Sequence, residues 1–190
     1  MPVTEGGSME SSGFSHELEV AIRLARRAGE VILRHYATNF AVDYKDEDAT
    51  DPVTQADRDA NNIIVAGLAA AFPADAILAE ESAASPTRHG HRRLWCVDPV
   101  DGTREFVDHN GQFAVMIGLA VEGVAEVGVI YQPTEDHLAY GAAGRAVSVL
   151  RGEERPLHVS KQAHPAHATL MVSRSHRSRS VQRVAQDLNI

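Results

Sequence analysis

Residues 95–103 read Trp95-Cys96-Val97-Asp98-Pro99-Val100-Asp101-Gly102-Thr103. An apolar, β-forming run ends on an acid, a proline and a glycine in close succession, which predicts a short strand over 93–98 that stops in a tight turn. Such a turn lets Asp98 and Asp101 face one ion, and the Val100 carbonyl between them adds a third oxygen. Gly102 and Thr103 follow with backbone N–H groups of the kind that holds phosphate at a turn or helix start. A cation site and an anion site are therefore expected side by side. Asp-Pro and Asp-Gly are also common turn formers, so Asp98 to Thr103 taken alone reads as a surface turn.

Outward from this stretch, the acids Asp51 and Asp57, Glu80 and Glu81, and Asp98 and Asp101 form three clusters, each at a junction between regular elements. Junctions of that kind can converge on one cleft. Mg²⁺ takes one or two carboxylates together with water and phosphate at about 2.0 to 2.1 Å. The Thr103 hydroxyl near Asp57 or Glu80 is positioned to orient and deprotonate an attacking water. Taken singly, Glu80-Glu81 is a solvated pair and Asp57 a first-turn acid that favours the helix dipole. Only their ordered combination is specific.

Two helices precede the turn. The first starts with Ser15 as N-cap and carries apolar residues at Leu18, Ala21, Ile22, Ala25, Ala28, Ile32 and Tyr36. The second is capped by Thr54 with Asp57 as its capping-box acid, has an inner stripe of Ala56, Ala60, Ile63, Ile64, Gly67, Leu68 and Ala71, and ends at Pro73. A short strand over 76–79 runs into Glu80. Beyond Thr103 the pattern becomes an antiparallel meander over 113–121, 125–131, 137–142 and 145–150, punctuated by Gly123, Pro133 and Gly144. A loop over 151–167, a strand over 169–173 and a helix over 178–188 complete the chain. The expected fold class is α+β, a layered sandwich with two N-terminal helices on one face of an antiparallel sheet. The expected division is a disordered tail over 1–13, a metal-binding αβ domain over 14–160, and the start of an incomplete αβ domain over 161–190.

The chain has 190 residues, with 18 Lys and Arg against 26 Asp and Glu, for a formal net charge of −8. A chain this acidic has no cationic surplus for a polyanion, so nucleic acid is excluded as an expected partner. No apolar run reaches the roughly 18 to 20 residues that span a bilayer, and the first 13 residues lack a basic, apolar leader. A soluble cytoplasmic protein is expected, consistent with a single cysteine, Cys96, which is expected to be buried in its strand. His89 and His91, or His164 and His167, lack a third ligand at zinc spacing, and the acid spacing does not fit an EF-hand loop.

Asp51-Pro-Val-Thr-Gln-Ala-Asp57, Glu80-Glu81-Ser82 and Trp95 to Thr103 together resemble, in order and spacing, the signature series of the inositol monophosphatase superfamily of Mg²⁺-dependent, lithium-sensitive phosphatases. Arg104-Glu105-Phe106, His109-Asn110-Gly111-Gln112-Phe113 and Ser173-Arg174-Ser175-His176 further resemble the 3′(2′),5′-bisphosphate nucleotidases of bacterial sulfur assimilation. By that resemblance Glu80, Asp98, the Val100 carbonyl and Asp101 bind Mg²⁺, and Asp57, Glu80 and Thr103 position or activate water. Gly102 and Thr103 hold the scissile phosphate, Arg174, Ser175 and His176 help bind the substrate, and Asp51 and Glu81 support the site. The implied reaction removes the 3′-phosphate of 3′-phosphoadenosine 5′-phosphate to leave AMP. An inositol or sugar phosphatase, or an inactive homologue acting as a binding module, remains an alternative.

One departure follows from the same resemblance. The family continues into a second αβ layer with a Trp-Asp-x-x-Ala motif whose Asp is a metal ligand, whereas Trp95 is the only tryptophan here. The chain resembles the N-terminal two thirds of a family member. A sheet face without its covering layer leaves an apolar patch, and from this a homodimer or aggregation is expected.

Overall fold

Alanine and leucine at a 3.6-residue period make helix α1 (Ser15–Tyr36), which buries Val20, Ala21, Leu24, Ala25, Ala28 and Ile32. Phe14 occupies the N-cap and Ser15 is already helical, one residue later in role than the sequence suggested, and no side chain caps this end. Arg34 and His35 in the last turn complement the helix dipole. In this computed structural model the described residues are 13–38, 41–44, 52–82, 91–172 and 179–188.

Strands β1 (Val42–Tyr44) and β2 (Pro52–Thr54) pair as a two-stranded antiparallel ribbon that the polar sequence around them did not suggest. Thr54 then caps helix α2 (Gln55–Ala71) through the expected capping box with Asp57. The two helices touch closely: a Cβ on Gly67 would stand 2.3 Å from Leu24 Cδ2. Glycine at that position is what lets α1 and α2 approach so nearly.

Among the described residues the main sheet has seven strands in sequential order: β3 (Ala76–Ala79), β4 (Arg93–Asp101), β5 (Ala114–Val121), β6 (Val124–Gln132), β7 (His137–Ala142), β8 (Arg145–Leu150) and β9 (Glu153–Pro156). β3 and β4 are parallel, and every later pair is antiparallel. Alternation places Val115, Ile117 and Leu119 of β5 and Val127 and Val129 of β6 in the core beneath the helices. Trp95, the largest fully buried side chain, belongs to the same core. Its indole N–H donates to Asp75 Oδ2 at 2.9 Å.

The opposite face carries a cavity of about 740 Å³ bordered by Leu78, Cys96, Met116, Gly118, Gly128 and Ile130. Ile130 is 45% exposed there. Cys96 is exposed, not buried as expected, because its neighbours Trp95 and Val97 take the core-facing positions and the pleat turns Cys96 outward.

The chain divides into two compact units, Met1–Leu157 and His158–Ile190. In the second, a 3₁₀ turn (Pro165–His167) and helix α4 (Arg179–Leu188) are the regular elements among the described residues. The strand expected over 169–173 is absent over 169–172, where no neighbouring strand pairs with the backbone, and Ser173 lies outside the described residues. Among the described residues no helix is long and apolar enough to cross a membrane.

Candidate active site

β4 runs through Pro99 to Asp101, three residues beyond the expected stop, and it does so by bulging. Asp98 pairs with Met116 and Asp101 with Ala114, so β4 spends one more residue than β5 over this interval. In a regular strand, residues three apart point to opposite faces. The extra residue removes that alternation, so Asp98 and Asp101 share the face of their partners Met116 and Ala114, opposite to the helices. Pro99 suits this position because it has no ladder N–H to lose.

The turn after the bulge depends on glycine. Gly102 adopts φ 92°, and a Cβ there would stand 2.9 Å from the Gln112 carbonyl oxygen. It caps a short helix α3 (Thr103–Val107), the helix start of the two possibilities that the sequence offers here. Thr103 is thereby the first helical residue, and its hydroxyl lies 3.0 Å from Asp57 Oδ1 and 3.1 Å from the Val100 carbonyl oxygen. One hydroxyl proton thus has two acceptors. The other Asp57 oxygen accepts from the Thr54 backbone N–H at 2.8 Å and the Thr54 hydroxyl at 2.6 Å. Asp57 is 1% exposed, so both of its oxygens are committed inside the protein.

Glu80 is the first residue past β3, and its N–H donates to the Val97 carbonyl at 3.1 Å, extending the parallel ladder by one rung. That rung places its carboxylate against Asp98, to which it hydrogen-bonds. Two carboxyl groups can share a hydrogen bond only if one holds a proton. Accordingly the Asp98 carboxyl is pushed up to about 7, first by burial and then by the charges of Glu80 and Asp101, against a smaller opposing contribution from the Val100 N–H. That N–H donates to Asp98 Oδ1 at 3.1 Å. Asp101 is also raised, by burial, by Glu105 and by Glu80.

The structure therefore brings Asp57, Glu80, Asp98, Val100, Asp101, Gly102 and Thr103 to one region, where the ends of α2, β3 and β4 meet. Glu81 is half-buried beside Glu80, and its charge adds to the hydrogen bond that Arg58 donates to Asp43 in raising the Arg58 guanidinium. Asp51, Arg174, Ser175 and His176 lie outside the described residues. Two participants escaped the sequence reading. Glu105 adds its charge to the cluster, and Asn61, 4% exposed, donates from Nδ2 to Ser82 Oγ at 3.0 Å. The signal for Asn61 was its spacing: it is four residues after Asp57 and so on the same face of α2.

Oxygen donors fit a hard divalent cation, and the mutual repulsion that raises Asp98 is what a cation would relieve. Among the described residues, no three acidic, histidine or cysteine side chains are already gathered around one point at ligand distance. The acids stand as a hydrogen-bonded pair with Asp101 near it.

Known proteins resemble this chain in sequence and in fold. A sequence profile described as "Inositol monophosphatase family" matches residues 15–189. The chain is 36% identical over 160 residues to the 3′(2′),5′-bisphosphate nucleotidase CysQ of Salmonella typhimurium, covering 84% of this chain and 64% of that protein. It is 36% identical over 155 residues to a histidinol-phosphatase of Chlorobaculum parvum, covering 82% of this chain and 58% of that one. Among solved structures, CysQ from Bacteroides thetaiotaomicron superposes with a TM-score of 0.71 at 32% identity, covering 93% of this chain and 69% of its own. The chain thus spans roughly three fifths to two thirds of these relatives, and on the match over nearly all its length it belongs to the inositol monophosphatase family.

Proposed function

We propose that this chain carries the metal and water-activating half of a Mg²⁺-dependent phosphomonoesterase whose substrate is a 3′(2′),5′-bisphosphate nucleotide such as 3′-phosphoadenosine 5′-phosphate. The observation that carries the reading is the Thr103 hydroxyl held between Asp57 and the Val100 carbonyl, beside the Glu80 and Asp98 pair. Glu80, Asp98, the Val100 carbonyl and Asp101 are the residues that would hold the cation. Bound Mg²⁺ would lower the pKa of water and neutralise charge on the phosphoryl group.

The protein's own part is proton handling and orientation. When the Thr103 hydroxyl donates to Asp57, its oxygen is left to accept a proton from water on the substrate side. Glu80 would be the second acceptor for that water. As the water oxygen attacks phosphorus, the bond from phosphorus to the 3′ oxygen breaks, and that oxygen ends as a hydroxyl once it has taken up a proton. Gly102 and Thr103 supply backbone N–H groups to the phosphate.

The two CysQ proteins among the relatives favour the nucleotide, and the histidinol-phosphatase favours another phosphate ester on the same metal centre. Assignment to the cytoplasm rests on the lone exposed thiol and is part of the same proposal. The test is Mg²⁺-dependent phosphate release from 3′-phosphoadenosine 5′-phosphate, inositol 1-phosphate and histidinol phosphate, with and without lithium. Preferred release from the nucleotide, inhibited by lithium, is expected. A higher kcat/KM for either other ester would overturn the substrate assignment, and no release from any would leave a binding module.

A further inference from the structure

Helix α2 presents two polar side chains to the protein interior one turn apart, Asp57 at 1% and Asn61 at 4% exposure. Asp57 reaches Thr103, on the limb after β4. Asn61 reaches the other limb: its Nδ2 donates to Ser82 Oγ at 3.0 Å. Ser82 closes the turn that carries the paired glutamates, since its N–H donates to the Ala79 carbonyl at 3.2 Å. The Glu80 N–H, bonded to Val97, fixes the near end of that turn. Asn61 fixes the far end.

An amide is a costly choice for this position. Asn61 Oδ1 is buried and has no hydrogen-bond partner among the described residues. An apolar side chain would pack against Ala60, Ile64 and their neighbours without stranding an acceptor. What the amide supplies and an apolar group cannot is the bond to Ser82. Because the Ser82 hydroxyl can donate or accept, that bond survives either orientation of the amide.

We propose that Asn61 is a positioning residue for Glu80: through Ser82 it holds the Ala79 to Ser82 turn so that the Glu80 carboxylate stays directed at Asp98. Helix α2 then serves as a common rod, with Asp57 locating Thr103 and Asn61 locating Glu80. This rests on the proposed function, because the consequence of misdirecting Glu80 is weaker divalent cation binding.

The test is calorimetric titration of Mg²⁺ into the full chain, beside metal-free melting curves. Ser82→Ala, at an exposed position, is expected to weaken Mg²⁺ binding about tenfold, the size usual when a partner orienting a metal ligand is lost. Its metal-free melting temperature should be unchanged. Ser82→Thr, which keeps the hydroxyl, should bind as the wild type does, and Asn61→Ala/Ser82→Ala should be no weaker than the weaker single variant. If Asn61→Ala does not fold, the two Ser82 variants decide the matter alone. Wild-type affinity in Ser82→Ala, or a melting loss with no change in affinity, would overturn the positioning role and leave the metal site intact. A wild-type chain that binds no Mg²⁺ would overturn the proposed function itself.

Discussion

The Thr103 hydroxyl lies 3.0 Å from Asp57 Oδ1, joining two residues 46 positions apart and two helices by their first turns. Thr54 occupies the other Asp57 oxygen, so this one carboxylate caps α2 and orients Thr103 at once. A capping motif legible in the sequence thus serves a second purpose that only the folded chain reveals.

In the proposed mechanism the Thr103 hydroxyl relays the proton, and alanine removes it. Thr103→Ala should lower kcat by about 10²-fold or more with little change in KM, as expected for loss of a general acid-base group. Thr103→Ser should retain most activity. Steady-state kinetics on 3′-phosphoadenosine 5′-phosphate check both.

Asp98 makes metal-free stability depend on pH. The folded chain keeps its proton up to about pH 7, whereas an unperturbed Asp releases it near 3.8. Proton binding therefore favours the folded state. This contribution is complete below about pH 4 and is lost as the pH rises through 7. Melting without metal should occur at lower temperature at pH 8 than at pH 6, and Asp98→Asn should flatten that difference. An equally steep fall in the variant would contradict the assignment to Asp98.

A second charged group surrounds Arg93, at the opposite end of β4 from Asp101. Arg93 bonds both oxygens of Asp75 through Nε at 2.9 and 3.0 Å and Glu17 through Nη2 at 2.8 Å, while Trp95 also donates to Asp75. The Asp75 side chain is 7% exposed. Asp75→Ala leaves Arg93 with Glu17 alone and the buried indole N–H without its acceptor, and should cost about 2 to 4 kcal/mol in urea denaturation. Mg²⁺ affinity should not move.

Gly67→Ala tests the helix crossing. Helix propensity alone would favour alanine by about 1 kcal/mol. The new methyl meets Leu24 at 2.3 Å, so overpacking of about 1 to 3 kcal/mol should prevail and lower the melting temperature.

The open sheet face should drive self-association. Light scattering is expected to show dimers or larger species at high concentration, and Ile130→Lys should shift them toward monomer. Monodisperse monomer in the wild type would contradict this.

The sequence displayed what periodicity encodes. α1, α2 and the meander follow from apolar spacing, and the three acid clusters from their positions at element ends. β9 was missed because Glu153–Pro156 is polar and exposed throughout, leaving no alternation to detect. Residues 169–172 misled in the opposite way, since Leu170, Met171 and Val172 have strand-forming side chains but no strand to pair with. Cys96 was misplaced by a residue-type preference, although Trp95 and Val97 on either side already settled its face. The bulge at Pro99, which brings Asp98 and Asp101 to one face, depends on register with β5 and is invisible in one strand's sequence. Asn61 shares a helix face with Asp57 by spacing alone, but that spacing does not reveal Ser82 as its partner.

Calorimetric titration of Mg²⁺ into the metal-free chain at pH 7.5, repeated with Asp98→Asn and Asp101→Asn, addresses the central claim that the ends of α2, β3 and β4 build a divalent cation site. Saturable binding by the wild type, lost or weakened at least tenfold in both variants while each still melts cooperatively, is the predicted result. Equal binding by all three chains, or none by the wild type, would contradict it.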